Sequence, residues 1–322
     1  MKRLLAILIL LTAVSATQAS SAMDPGDSPD TPWSVNPKVR NDFSSHTSYE
    51  FGNPFPPYQA PLSRLEFPLD SWWAGLEARR SFSRVSVGIE AMRNISGAAD
   101  GPFKDSDWDD DARPGVKTIY SESNLRLDPS YSVRADVDLK ISDWVGLPSG
   151  FDLRPVIGGR WQRFSFVSHD GLQVYPSPGD TTPPIALPGD GIRFEQTYWQ
   201  TFLGVKTAYE WRNPVYVSRL GVRMQLDWAY VIGENEDHHM LREGRRFTYE
   251  ETRGNGWHAA LGLDVGLTRQ LSANLDLDYL KLDTSGSHRW VNTVFGEDES
   301  SGYEVNVWSQ QFGITMGLKY AF

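Results

Sequence analysis

The chain ends in "QQFGITMGLKYAF", residues 310–322. Phe312, Ile314, Met316, Leu318, Tyr320 and Phe322 are apolar at every second position, and Gly313, Thr315, Gly317, Lys319 and Ala321 between them are small or polar. A period of two is that of a β-strand, whose successive side chains point to opposite faces. An apolar face ending in aromatics, set against a polar face, describes a strand with lipid on one side and a wet lumen on the other. A strand of a soluble sandwich also alternates, but seldom for so long and up to the last residue.

The same period recurs upstream. Val85, Val87, Ile89 and Ala91 form one apolar row; Leu220, Val222, Met224, Leu226 and Trp228 form another. Ala259 to Leu267 and Leu271 to Tyr279 repeat it on odd positions, opposite Asp264, Asn274, Asp276 and Asp278. Partners this charged do not suit a sandwich core, but they suit a polar lumen. Short turns are expected at Arg80–Ser83, Ser142–Gly150, Arg212–Pro214 and Thr268–Gln270, and long loops near 52–62, 99–117, 169–191, 235–245 and 287–302. Five long loops interleaved with four short turns predict a ten-stranded antiparallel transmembrane β-barrel, all-β, with long loops outside and short turns periplasmic. Several strands run well beyond the 9–11 residues needed to cross lipid, so the barrel should rise above the outer leaflet.

At the other end, Lys2 and Arg3 precede an apolar run from Leu4 to Val14, and small residues follow to Ala19 and Ala22. This is the pattern of a secretory signal peptide, expected over residues 1–22, with one barrel domain over 23–322. The apolar run is too short for a spanning helix. The chain has no Cys, which excludes disulfides, a thiol nucleophile and Cys-ligated metal. No GxSxG, HExxH or GxxxxGK[ST] occurs either, removing the common hydrolase, zincin and P-loop signatures.

Two acidic clusters top ascending strands. One is "FKDSDWDDDARPG", residues 103–115, with Asp105, Asp107, Asp109, Asp110 and Asp111; the other is "GENEDHHM", residues 233–240, with two of the chain's six His. A calcium loop fits the first poorly: counted from Asp105, its sixth position is Asp110 where Gly is needed, and its twelfth is Val116 where Glu is needed. No metal site is expected. Two carboxylates at i and i+2 on an extended segment share a face. Held close, they resist ionising together, so one pKa rises and the pair can share a proton. A carboxylate beside an imidazole can orient it as a general base toward water.

These segments resemble the omptins, a family of ten-stranded outer-membrane endoproteases. The most specific element is Asp-x-Asp-Trp followed by Pro-Gly, here "DSDW" at 105–108 with Pro114-Gly115. "SRLEFPLDSWWAGLEARRSF" (63–82), "VSVGIEAMRNISG" (85–97), "GRWQRFSF" (159–166), "ENEDHHM" (234–240) and the closing "GLKYAF" resemble the corresponding family segments, and the likeness spans almost the whole mature chain. It implies a protease of aspartic type in which Asp105 and Asp107 face a carboxylate–histidine pair across a water, with no covalent intermediate. Matched without gaps, that second pair is Glu236 and His238; shifted by one, it is Asp237 and His239. Strand phase favours Asp237 and His239, because Trp228 and the even positions before it face lipid and a bulge would be needed to reverse the order.

The resemblance further implies cleavage at basic residues. Glu50 falls where the family receives the substrate's basic side chain, and Glu234 would be its partner. The formal net charge of −10, more negative still without Lys2 and Arg3, supports cationic peptides or proteins as partners. Lipopolysaccharide is implied as a lipid partner and possible activator, with Arg163 at one of the family's binding positions; Thr197 and Gly254 stand where the family has basic residues, with Arg193 and Arg253 nearby. No nucleic acid is expected, and a monomer is. A non-catalytic barrel, an adhesin or surface-binding protein, would share the fold and acidic rim. A pore is disfavoured because ten strands leave a lumen that side chains can fill.

Overall fold

A computed structural model describes residues 32–52, 60–212, 217, 219–242, 246–292, 294 and 296–322. The leader expected over 1–22 lies outside the described residues. Alternating sequence gives strand throughout: β1 (Trp33–Phe51), β2 (Ser63–Pro68), β3 (Ser71–Ser81), β4 (Val85–Asn94), β5 (Phe103–Asp107), β6 (Ile119–Leu127), β7 (Tyr131–Leu139), β8 (Phe151–Val174), β9 (Ile185–Arg212), β10 (Arg219–His239), β11 (Arg246–Gly266), β12 (Leu271–Asn292) and β13 (Glu297–Ala321).

These segments form a ring of ten antiparallel strands. β2 and β3 both pair with β1, β4 and β5 follow them, and β6 and β7 both pair with β8, so three of the ten strands are broken in two. The closing seam joins β13 to β1, from Ser34↔Ala321 to Phe51↔Val305. Phe322 completes it by exchanging two backbone hydrogen bonds with Trp33 (3.1 and 2.9 Å). The break between β2 and β3 is chemically defined. There Asp70 accepts the Ser44 and Ser45 amides (2.9 and 2.6 Å), where a register shift interrupts β1 and Ser44 adopts a φ of 50°.

Ten strands and the short turns at Arg80–Ser83, Ser142–Gly150 and Thr268–Gln270 agree with the sequence reading, but several of the expected long loops do not. Most of the turn expected at Arg212–Pro214 and of the loop expected near 52–62 lies outside the described residues. β8 runs to Val174 and β9 begins at Ile185, β10 continues to His239, and β12 and β13 are separated only by residues 293–296. Segments read as loops at 169–191 and 287–302 are thus largely strand, and the one at 235–245 is strand as far as His239. The physical reason is that a strand rising out of lipid no longer needs apolar residues on its outer face, so the alternation fades while the ladder continues.

The outer surface carries the lipid signature. Trp199, Leu203, Val205, Tyr209 and Trp211 on β9 are exposed, as are Met224, Leu226, Trp228 and Tyr230 on β10 and Met316, Leu318 and Tyr320 on β13. From Trp199 to Trp211 the belt covers about 40 Å along the strand, close to 30 Å after a tilt of about 40°. That matches the roughly 30 Å hydrocarbon core of a bilayer. Past Ile232 the outward residues of β10 become polar, Glu234 and Glu236. Asp237 and His239 stand on the order of 20 Å farther along the strand.

The lumen has two zones. Near the short turns it is ionic: Arg79 bonds Asp136 and Asp138 (2.8 and 2.9 Å), Lys206 joins both, and Arg160 and His258 hold Asp227 (2.6 and 2.8 Å) around a cavity of about 860 Å³. Above it lies a layer of stacked aromatics: Tyr49, Phe67, Phe103, Phe166 and Phe194 are fully buried, with Phe67 and Phe194 rings 4.3 Å apart and Phe67 and Phe103 4.7 Å apart. This layer plugs the barrel below the rim. Between the zones the Phe202 ring lies against Gly158, with the Arg160 guanidinium 4.3 Å from its centre. A Cβ at 158 would come within 2.3 Å of the Ala135 carbonyl oxygen and 2.5 Å of Phe202. Gly158→Ala is therefore expected to destabilise the barrel by about 1–3 kcal/mol. The check is the temperature at which the folded band disappears from a detergent gel; an unchanged temperature would mean that the strands give way at no cost.

Candidate active site

The short strand β5 brings Asp105 and Asp107 to the rim. Phe103 on the same face is buried in the aromatic layer, and a period of two points both carboxylates the same way, directly above it. β10 supplies the opposite side. Its odd positions face inward, with Val231 and Asp237 fully buried, and its even positions Glu234 and Glu236 are exposed outside. Asp237 is therefore an interior carboxylate. His239 Nε2 lies 3.2 Å from Asp237 Oδ2, and the hydroxyl of Tyr49 on β1 donates to that same oxygen at 2.6 Å.

The electrostatics separate the carboxylates. Burial above the aromatic layer, reinforced by the negative charge of Asp107, pushes Asp105 up to about 7, although His239 opposes the rise. Asp107 is raised too, chiefly by burial, and a hydrogen bond from Ser63 tempers the effect. Burial also acts on Asp237, but His239 and the Tyr49 hydroxyl outweigh it and hold this acid below the usual carboxylate range. The rim thus holds one carboxyl able to carry a proton at neutral pH facing one that stays ionised beside an imidazole. Asp105 Oδ1 and Asp237 Oδ1 are buried and accept no hydrogen bond among the described residues, so each keeps an acceptor for an incoming group. His239 acts electrostatically on Asp105 and Asp107 without an ion pair to either among the described residues. The imidazole and the carboxylate pair face each other across a gap.

The other expected residues are placed elsewhere. His238 stacks on Phe247 (4.1 Å between ring centres) on the outer face, and Glu236 lies outside beside Tyr249, so the Glu236–His238 register puts its groups outside the barrel. Glu234 is outward for the same reason of phase. Glu50 lies between the inward Tyr49 and Phe51 and is bound on the outer side by Arg64 (2.6 Å). Neither Glu50 nor Glu234 faces the gap. Arg163 is also outward, in an ion pair with Glu195 (2.6 Å). Among the described residues, no group of three or more His, Cys, Asp or Glu is placed to hold a metal ion.

A family model described as the Omptin family matches residues 79–322. The chain belongs to the omptin family. It is an outer-membrane β-barrel of a protease family. Among solved structures, this omptin is similar to the outer membrane protease OmpT from Escherichia coli, with a TM-score of 0.77 and 16% identity over 91% of this chain and 98% of that one. At that identity the likeness is one of fold. The translocator domain of autotransporter NalP from Neisseria meningitidis (TM-score 0.36, 9% identity, 100% and 94% covered) and outer membrane protein OprG from Pseudomonas aeruginosa (0.40, 13%, 90% and 95%) are more distant barrels. No curated protein sequence matches the chain.

Three interior residues of this omptin escape a reading of motifs. Tyr49 touches Asp237 across 188 positions, and Glu250 is bonded to His288 (2.9 Å) across 38, both within the barrel. Each is one polar residue among others on its strand, with no motif around it. The inward phase of β1 flags Tyr49 once Phe51 is taken as buried, but nothing local indicates which carboxylate it meets.

Proposed function

We propose that this omptin is an endopeptidase that cleaves cationic peptides or proteins at basic residues on the exterior side of the outer membrane. The observation that carries the reading is the Asp237–His239 pair, steadied by Tyr49, across a gap from the proton-holding Asp105 and Asp107. With Nε2 turned to Asp237, Nδ1 of His239 is the nitrogen available to take a proton from water. The oxygen of that water bonds to the peptide carbonyl carbon. The proton held by Asp105 and Asp107 then goes to the leaving amine as the C–N bond breaks. Asp237 stabilises the imidazolium that forms, and no covalent intermediate is needed.

Preference for basic residues rests on the field of the gap. With Glu50 and Glu234 facing outward, it comes from the one charge that Asp105 and Asp107 keep while sharing a proton, from Asp237 and from the buried Glu250. Asp109, Asp110 and Asp111 stand beside the mouth, and Arg242 and Arg246 act against the field. Lipopolysaccharide is proposed as a partner on the outer face around Arg163, with Arg193 also outward.

Tyr49→Phe is expected to lower kcat about tenfold, the equivalent of one lost hydrogen bond to a charged group. Steady-state kinetics check this, and an unchanged kcat would remove Tyr49 from the site. The reading itself is tested by incubating a fluorogenic Arg-Arg peptide with the refolded barrel in heavy-oxygen water, with lipopolysaccharide present. Mass spectrometry should find a cut beside a basic residue and one heavy oxygen in the new carboxyl terminus. A folded barrel that cuts nothing would instead favour a non-catalytic surface-binding protein.

A further inference from the structure

The outer face of β5 is held by a strap of side chains that takes no part in the chemistry above. β5 has only five residues, with four register pairs to β2 and five to β6, and both rim carboxylates hang from it. Ser106, between them, points away from the gap yet is almost completely buried. It is covered because Arg64 is its register partner on β2 and Lys117 donates to its hydroxyl (2.9 Å).

The Arg64 guanidinium lies 5.6 Å from the ring centre of Trp108, the residue after Asp107, and 5.6 Å from that of Trp308 on β13. Glu50 on β1 fixes it through contacts of 2.8 and 2.6 Å. Lys117 bears on the same Trp108 ring (5.3 Å) and on Tyr120 (4.7 Å). A planar guanidinium suits this seat, since it stacks on indoles while pairing with a carboxylate.

The chain neighbours of the strap make it more than a surface cluster. Glu50 follows Tyr49, which holds Asp237, and Trp108 follows Asp107. Arg64 thus ties the strand that bears the Asp105–Asp107 pair to the strand that steadies Asp237. We propose that Arg64, clamped by Glu50, Trp108 and Trp308, is a positioning residue that sets the gap between the two halves of the site. The inference rests on the proposed protease reading for its kinetic consequence, but not for its structural one. It also gives Glu50, which faces away from substrate, a defined role.

A displacement of the order of 1 Å at reacting groups costs about 100-fold in rate. Arg64→Ala is accordingly expected to lower kcat about 10- to 100-fold with KM nearly unchanged, and to move the alkaline limb of the pH profile downward as water reaches Asp105. Arg64→Lys, which keeps the charge but lacks the planar group, should fall between. Glu50→Gln, which keeps the shape and loses the charge, provides a milder break should Arg64→Ala fold poorly.

Hydrogen exchange over residues 103–108 is read in parallel on every variant. Faster exchange there, with residues 237–239 unchanged, is the expected result and does not depend on activity. Unchanged exchange in β5, or unchanged kcat and pH profile in an active folded variant, would overturn the positioning role. A wild type that cleaves nothing would sink the protease reading, while the exchange measurement still decides whether Arg64 holds β5.

Discussion

Asp105→Asn is expected to abolish most cleavage and, in the same protein, to raise stability above neutral pH. The rate loss follows from the proton. Asn cannot pass one to the leaving amine, and general acid–base groups contribute about 10²–10⁴-fold. In the wild type, kcat/KM should fall as pH rises through about 7, where Asp105 loses its proton, and any residual activity of the Asn variant should lack that limb. Stability runs the other way. A folded-state value raised from 3.8 to about 7 means that the folded protein binds a proton the unfolded chain has released. Wild-type stability therefore declines from about pH 4 to about pH 7 and bears the full cost of the buried charge above that. Asn removes the cost, so its advantage in urea should grow across the same interval and then level off. A variant no more stable at pH 8 than at pH 4 would contradict the buried, proton-holding carboxyl.

The second large effect separates two adjacent histidines. His239→Ala should lower kcat about 10²–10⁴-fold, since the imidazole beside Asp237 is the proposed base. His238→Ala should leave kcat within about twofold, because that ring stacks on Phe247 on the other face of the strand. A one-residue slip in the match between sequences exchanges these roles, and only the inward phase of β10 decides between them. Equal losses in both variants would point to a damaged strand, and loss in His238→Ala alone would reverse the assignment.

What was legible in the sequence follows from what is periodic. The closing stretch from Phe312 to Phe322 and the rows through Leu220–Trp228, Ala259–Leu267 and Leu271–Tyr279 are lipid-facing strands in the folded chain, and the ten-strand count follows from the alternation of long and short connections between such rows. The Asp-x-Asp spacing on an extended segment places Asp105 and Asp107 on one face, as β5 does. Where periodicity faded, so did the reading. The tops of β8, β9, β10, β12 and β13 looked like loops because water replaces lipid on their outer faces. Glu50 and Glu234 agree with the family pattern by position alone, and a shift of one residue turns a side chain to the other face of a strand. Tyr49 and the Glu250–His288 pair depend on which strands close the ring, a fact carried by the whole fold and by no local stretch.

The central claim is that Asp105 and the Asp237–His239 pair together make a peptide-hydrolysing site. Its most direct test is cleavage of one Arg-Arg fluorogenic peptide by wild type, Asp105→Ala, His239→Ala and His238→Ala, refolded in detergent with and without lipopolysaccharide. The account predicts cleavage by the wild type and by His238→Ala, and near-complete loss in the other two. Undiminished cleavage by Asp105→Ala or His239→Ala, or no cleavage by a wild type shown to be folded, would contradict it.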